Sequence, residues 1–239
     1  MAVVNTNIGA SVAQAALMRN DRALNTAMEQ LSTGKKINSA GDNAAGLAIS
    51  SRMTSQIRGL GAAISNANDA ISMVNTAEGA LDEITNMLQR MRELAVQAGT
   101  GTTDSADRTY LNSEFSALRT EIDRIVDNTQ WNGRNILDGS AGASTGASTV
   151  AFQIGQDGVK TQTLSTSFGN FTNDKGKLSG LASKIITGGT VASAITYASS
   201  TITEIDVVIG DVSSQRATFG AISNRRTHAV DNLTNVKTN

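Results

Sequence analysis

The sequence contains neither cysteine nor proline among its 239 residues, and it has a single histidine, His228. Without cysteine the chain can form no disulfide, no thiolate metal site and no cysteine nucleophile. One histidine is too few for the imidazole-rich sites of zinc hydrolases, and a serine relay would have to use it as the only imidazole base. We interpret His228 as a surface residue of a helix. The sequence therefore predicts no enzyme activity, no cofactor and no metal site.

Aromatic residues and net charge are also scarce. Phe, Trp and Tyr make up 3% of the residues, and the formal net charge is −1. Nucleic-acid binders need a basic surface that follows the phosphates, and single-strand binders also need aromatic side chains on which bases stack. Apolar runs fall well short of the roughly 20 residues that cross a bilayer. The composition therefore predicts neither a nucleic-acid partner nor membrane insertion.

The first twenty residues, MAVVNTNIGASVAQAALMRN, lack the features of a secretory signal peptide. They have no basic start and no continuous apolar core. The sequence alone therefore indicates either a cytoplasmic protein or one that is exported without a cleaved signal.

Long helices dominate the predicted structure. The absence of proline removes the strongest helix breaker, which makes up about 5% of an average chain. Between residues 44 and 98, apolar residues recur at alternating steps of three and four, the spacing of a coiled-coil-like seam. At 1.5 Å per residue this helix would be roughly 80 Å long. Further helices are predicted at 104–129, capped by Asp104, and at 190–236. The predicted seam comprises Leu60, Val74, Leu81, Leu88, Leu118, Ile122, Ile205, Val212 and Phe219.

A small β region is predicted at 130–185, between the last two helices. Its first part, NTQWNGRNILDGSAGASTGAST, has the composition of a loop. In VAFQIGQDGVKTQTLS, Phe152 and Ile154 alternate with polar residues ahead of an Asp157–Gly158 turn, which is typical of a β-hairpin. The predicted fold class is therefore mainly α: an elongated rod of long coiled-coil-like helices with a small β-hairpin region.

The stretch LSTGKKINSAGDNAAGLAIS, at residues 31–50, allows two interpretations. Two of its glycines have the spacing of a phosphate-binding loop. However, Leu47 follows where that loop requires a lysine, and the preceding segment is predicted to be a helix rather than a strand. We interpret the stretch as a joint between two helices, with Gly34 ending the first and Ser39 or Asp42 capping the second.

Several stretches of the sequence resemble bacterial flagellins. They are NTNIGA, AMEQLSTGKKINSAGDNAAGLAIS, RGLGAAISNANDAISMVNTAEGALDEI, MLQRMRELAVQAG, EIDRIVDNTQWNGRNILDG and, near the end, GAISNRRTHAVDNL. The resemblance covers residues 1 to about 139 densely and about 200 to 236 more loosely. It implies a structural subunit of the extracellular flagellar filament, which serves motility. Its partners would be other flagellin subunits and the export and chaperone machinery of the flagellar type III apparatus. A hook–filament junction protein or a cell-surface adhesin that uses the same rod is the alternative.

The resemblance also implies a division into domains. Residues 1–43 would form the helix of the filament core and a joint, and residues 44–236 would form the rod domain. The first helix has only a narrow apolar stripe, with Leu17, Leu24 and Leu31 at seven-residue intervals. Because such a helix is marginal in water without a partner, we expect residues 1–43 to be poorly ordered in the free monomer.

A further expectation concerns the end of the sequence. Flagellins continue past DNLTNV for several helical turns, and their terminal helix pairs with the N-terminal one. On this resemblance the chain, which ends at KTN, is expected to be a truncated form that does not build long filaments by itself.

The motif QRMRELAVQ resembles the flagellin epitope that vertebrate Toll-like receptor 5 recognises, a surface that also packs subunit against subunit. The resemblance implies a contact face made of Gln89, Arg90, Leu94, Gln97 and Glu114. The alternative is an ordinary solvated helix face on which Arg90 and Glu93 form a weak surface pair.

Arg226 lies seven residues after Phe219, at a position of the last helix where flagellins usually have an apolar residue. A charge at a seam position weakens packing unless the side chain extends to solvent. We therefore expect weak packing at this end of the helix.

Overall fold

The computed structural model describes residues 7–142, 148–155, 162–173, 176–188 and 190–238. Within these residues lie four helices, α1 (Ile8–Thr33), α2 (Ala40–Ala98), α3 (Ser105–Asn128) and α4 (Val191–Thr238), and a 3₁₀ turn at Ser179–Leu181. The strands are β1 (Gln130–Trp131), β2 (Arg134–Asn135), β3 (Thr149–Gln153) and β4 (Thr163–Ser167). The predicted mainly α fold with a small β-hairpin region is confirmed. None of the described helices is long and apolar enough to cross a membrane.

The chain divides into two compact units, Met1–Arg58 and Gly59–Asn239. The division falls within α2, fifteen residues beyond the domain boundary predicted at residue 43. This division into compact units does not test the predicted domain boundary, which stays a prediction.

In the first unit, α1 has well-defined ends but no buried side chain. Asn7 caps its start, because the Asn7 side-chain oxygen accepts a hydrogen bond from the Ala10 amide at 3.1 Å. Gly34 ends it in the left-handed conformation at φ 65°, which confirms the predicted glycine stop. The local sequence thus sets both ends of α1, while its apolar stripe remains uncovered.

The joint between α1 and α2 contains two successive helix starts. The carboxylate of Asp42 accepts hydrogen bonds from the backbone amides of Asn38 and Ser39, both at 3.0 Å. Asn43 then breaks the helix with φ −164° and ψ 93°, and its side-chain oxygen accepts from the Gly46 amide at 2.8 Å. The prediction that Ser39 or Asp42 caps the long helix is therefore wrong. Asp42 stabilises the short turn before the break, and Asn43 caps the long helical segment after it.

Gly46 allows the joint to pack closely. A Cβ atom at this position would lie 2.8 Å from Cδ1 of Ile37 and 2.9 Å from Nδ2 of Asn43. The close approach of these side-chain ends explains the glycine by packing at the joint, without a phosphate-binding loop.

In the second unit, α2, α3, α4 and the β region enclose one hydrophobic core. Apolar side chains at steps of three and four cover one another along the helices, and each large side chain that is fully buried contributes roughly 1.5–3 kcal/mol. Among the predicted seam residues, Leu118 is only partly buried, packed against this core. The other eight are buried: Leu60, Val74, Leu81, Leu88, Ile122, Ile205, Val212 and Phe219.

The turn between α2 and α3 is fixed by a buried arginine that the sequence analysis did not single out. Arg108 donates from Nε to the Ala98 carbonyl and from Nη2 to the Thr100 carbonyl, both at 3.0 Å. It thereby provides a partner for the Ala98 carbonyl at the end of α2 and joins that end to the turn. Asp104 caps α3 as predicted, accepting from the Ser105 amide at 2.6 Å.

The β region contains two antiparallel hairpins. In the first, Asn132 and Gly133 connect β1 to β2 with φ angles of 51° and 74°. The loop predicted for this stretch is wrong at these residues, because an Asn-Gly pair is the usual signal for a two-residue hairpin. In the second, β3 pairs with β4, and Phe152 lies opposite Leu164. The predicted Asp157–Gly158 turn lies outside the described residues.

Candidate contact surfaces

The predicted contact face on α2 and α3 is centred on Arg90. Its guanidinium contacts Glu114 of α3 through Nε and Nη2, both 2.9 Å from Oε1, and Glu93 of α2 through Nη1 at 3.0 Å. Hydrogen bonds to Glu114, and then to Glu93, raise the pKa of Arg90 above its ordinary value. All three side chains are exposed, so the group is held in place and remains accessible.

Four of the five residues predicted for this face are exposed, and an ion pair joins two of them, Arg90 and Glu114. Gln89, Arg90, Gln97 and Glu114 are exposed. The prediction that Leu94 belongs to the exposed face is wrong, because its side chain is only 1% exposed and lies in the core. Leu94 shares the inward side of α2 with three other buried residues, Met91, Ala95 and Ala98.

An exposed valine extends this face beyond the predicted residues. Val96 lies seven residues after Gln89, about two helical turns along the same side of α2, and its side chain is 49% exposed. A protruding apolar residue beside polar ones is common at protein contacts. Its position could have been found from the seven-residue spacing, but the motif directed attention to Leu94.

A second candidate surface is the apolar stripe of α1 in the first unit. Leu17, Leu24, Met28 and Leu31 lie along one side of this helix, and the large apolar residues Ile8, Val12 and Met18 lie on its other sides; all of these side chains are more than half exposed. A stripe of this length on one helix exceeds the scattered apolar residues that are normal on a protein surface.

A third feature is a buried arginine on α4. Arg226 is 0% exposed, donates from Nη1 to the Ala70 carbonyl of α2 at 2.8 Å, and donates from Nη2 to the Thr166 hydroxyl of β4. Its guanidinium carbon lies 4.6 Å from the centre of the Phe152 ring of β3. Burial lowers the pKa of Arg226 to about 10. The expectation of weak packing around Arg226 is wrong. Its side chain is buried, where the Ala70 carbonyl and the Thr166 hydroxyl accept its hydrogen bonds and the Phe152 ring lies beside it.

Groups that could hold a metal ion are absent from the residues that the structure describes, where no three acidic, histidine or cysteine side chains come together. The described residues thus present two candidate contact surfaces, the ion-paired face around Arg90 and the exposed apolar side of α1. The buried Arg226, in contrast, joins α4 to the β3–β4 hairpin.

Comparison with known proteins identifies the family. The family described as bacterial flagellin N-terminal helical region matches residues 4–142. Over 152 residues the chain is 51% identical to flagellin A of Vibrio cholerae serotype O1, an alignment that covers 64% of this chain and 38% of that protein. The chain thus spans about two fifths of the length of that relative.

Solved structures share the fold. The crystal structure of Bacillus cereus flagellin matches with a TM-score of 0.56 and 30% identity, covering 71% of this chain and 88% of that one. A protein named as a flagellar hook-associated protein of Vibrio parahaemolyticus matches with a TM-score of 0.66, covering 84% of this chain and 96% of that one. Its identity is 14%, so this second likeness concerns the fold alone. The family match extends over more than half of the chain, and the chain therefore belongs to the bacterial flagellins.

Proposed function

We propose that the chain is a structural, non-enzymatic subunit of the bacterial flagellar filament, and that it acts outside the cell in motility. The family match and the 51% identity to flagellin A support this role. The single observation that carries it is the uncovered apolar stripe of α1, because a filament subunit needs surfaces that are completed only by other subunits.

Contact with other subunits would stabilise α1. Each of its large apolar side chains would contribute roughly 1.5–3 kcal/mol if a partner removed it from water. A 26-residue helix with no buried side chain gains nothing from tertiary packing, and helices depend on such packing for most of their stability. Assembly with other flagellin subunits would supply it.

Co-sedimentation of the labelled chain with growing filaments of a purified flagellin tests this proposal. A variant with Leu17→Gln, Leu24→Gln and Leu31→Gln removes three apolar side chains from the stripe. A control with Gln14→Asn, Asn20→Gln and Asn25→Gln changes three exposed polar positions of the same helix. We expect the unmodified chain and the control to sediment with the filaments and the leucine variant to remain in the supernatant. The proposal fails if the unmodified chain stays in the supernatant or if the leucine variant sediments equally well.

Under this proposal the face around Arg90 would bind two further partners. Gln89, Arg90, Gln97 and Glu114 would contact a neighbouring subunit in the filament and Toll-like receptor 5 when the subunit is free. An exposed arginine held by two carboxylates is presented with little loss of side-chain freedom, and arginine is among the residues enriched at the centres of protein interfaces.

The proposal includes the export route and the division into domains. The subunit would leave the cell through the flagellar type III apparatus with its chaperones, and the lack of cysteine is compatible with passage as an unfolded chain. Residues 1–43 would act as the filament-core helix and joint, and residues 44–236 as the rod domain.

A hook–filament junction protein is the alternative, because a protein named as hook-associated shares the fold. The far higher sequence identity to flagellin A favours the filament subunit. Filament length in the seeded assay separates the two, because a junction protein would cap filaments and stop their growth.

A further inference from the structure

The β3–β4 hairpin is held against α2 and α4 by apolar packing, with Val150 and Phe152 of β3 against the core, and by polar contacts. Asn66 of α2 donates to the Gln153 carbonyl of β3 at 3.1 Å, and Gln215 of α4 donates to the Ser167 carbonyl of β4 at 2.9 Å. Between these two ends lies Arg226, which contacts α2, β3 and β4 from its position on α4. Arg226 therefore occupies the centre of the attachment.

Burying this guanidinium is costly. Among the described residues Arg226 forms no ion pair, and its Nε atom has no hydrogen-bond partner. A charge taken out of water without a counter-charge loses hydration that a carbonyl, a hydroxyl and an aromatic ring restore only in part. The guanidinium would regain this hydration if the hairpin moved away and let water reach it.

The hairpin is too small to remain folded once it leaves the helices. Each of its strands has five residues, and an isolated two-stranded hairpin is marginal in water. The helices, in contrast, share a continuous core that does not depend on Arg226. Separation of the hairpin and separation of the helices are thus two events with different free energies.

We propose that the buried charge of Arg226 weakens the docking of the β3–β4 hairpin, and that the hairpin undocks and unfolds as a unit before the helices separate. Undocking exposes Arg226 and the side of α2 and α4 that the hairpin covers. The subunit thereby has a region that opens while its helical core stays folded, which is a conformational property beyond the proposed structural role and independent of it.

Hydrogen exchange measured by mass spectrometry on the whole chain tests whether the hairpin opens before the helices. In the unmodified protein we expect the β3 and β4 amides to exchange at least tenfold faster than the amides around Ile122 in α3. Equal exchange rates in the two regions would overturn the proposal, whatever any variant shows.

A paired substitution tests the part played by Arg226. Arg226→Met with Thr166→Val removes the buried charge and also the hydroxyl that would otherwise lose its partner. We expect this variant to slow hairpin exchange at least tenfold and to leave the α3 amides unchanged. Arg226→Met alone should give a smaller effect, because it leaves the Thr166 hydroxyl buried without Arg226.

The matched control is Arg216→Met, which removes a half-buried arginine of the same helix that pairs with Asp82 at 3.0 Å. It should leave hairpin exchange within twofold of the unmodified protein. The proposal is overturned if the paired variant exchanges its hairpin amides at the unmodified rate or faster, or if it fails to fold, since either result would mean that the charge is not a net cost.

Discussion

Arg226 and Ala70 are 156 positions apart in the sequence, yet the Arg226 guanidinium donates to the Ala70 carbonyl over 2.8 Å. Together with two ion pairs farther along the same helices, the contact shows that α4 runs antiparallel to α2. Two ion pairs continue the same register along the helices, Arg216 with Asp82 at 3.0 Å and Asp206 with Arg92 at 2.7 Å. The two longest helices of the second unit are therefore aligned over most of their shared length.

Small residues allow this close alignment, and enlarging one should destabilise the second unit. Ala67 of α2 is 0% exposed, so Ala67→Leu inserts three carbon atoms into a filled space. We expect the free energy of unfolding to fall by about 1–3 kcal/mol. The matched change Ala62→Leu, at an exposed position of the same helix, should alter it by no more than about 0.5 kcal/mol. Urea unfolding followed by circular dichroism measures both, and equal effects would contradict the packing described here.

Leu31 and Leu88 each belong to a series of apolar residues with seven-residue spacing, but they should differ sharply in their contribution to monomer stability. Leu88 is 0% exposed in the core, whereas Leu31 on α1 is 87% exposed. Leu88→Ala should lower the free energy of unfolding by about 2–5 kcal/mol because it leaves a cavity. Leu31→Ala should change it by less than about 0.5 kcal/mol in the monomer. A large loss for Leu31→Ala in dilute monomer would mean that its side chain is covered.

The Arg90 face should act in recognition and contribute little to folding. Arg90→Ala and Glu114→Ala should each weaken activation of Toll-like receptor 5 in a reporter-cell assay, while the thermal midpoint and helix content stay unchanged, since both side chains are exposed. Arg92→Ala is the control, because Arg92 lies two residues away and pairs with Asp206 on α4. Normal signalling by both variants, or equal loss in the control, would remove the basis for this receptor contact.

Acid should loosen the joint between α1 and α2. Backbone amides of Ser39 and Asn38 donate to the Asp42 carboxylate and lower its pKa below 3.8. The folded joint therefore binds its proton less tightly than the unfolded chain does. The resulting stabilisation is complete above about pH 3.8 and is lost as the pH falls through the lowered pKa.

Nuclear magnetic resonance measures this effect at the joint itself. The amide signals of Asn38 and Ser39 should shift together with a midpoint below pH 3.8, and Asp42→Asn should abolish the shift. A midpoint at or above 3.8 would show that the carboxylate gains nothing from these two amides.

The sequence predicts the helices well because their signals are local or periodic. Leu81 and Leu88 follow the three–four spacing and are buried, and Gly34 and Asp104 mark helix ends through conformations that their own residue types favour. Such features depend on a few neighbouring residues, so they can be inferred without knowing what packs against them.

The remaining features depend on residues distant in the sequence or on competition between similar signals. Arg226 is buried because Thr166 and Ala70 accept its hydrogen bonds, and these residues lie 60 and 156 positions away in the sequence. Leu94 follows the inward spacing of α2, which outweighed the motif that placed it on the surface. Asn43, rather than Asp42, caps the long segment of α2 because two polar residues in succession each accept backbone amides.

Electron cryomicroscopy of filaments grown from a flagellin seed in the presence of the labelled chain tests the central proposal most directly. The account predicts that the chain enters the filament and that its α1 lies with Leu17, Leu24 and Leu31 against helices of neighbouring subunits. Filaments that exclude the chain, or that contain it with the α1 stripe facing solvent, would contradict the account.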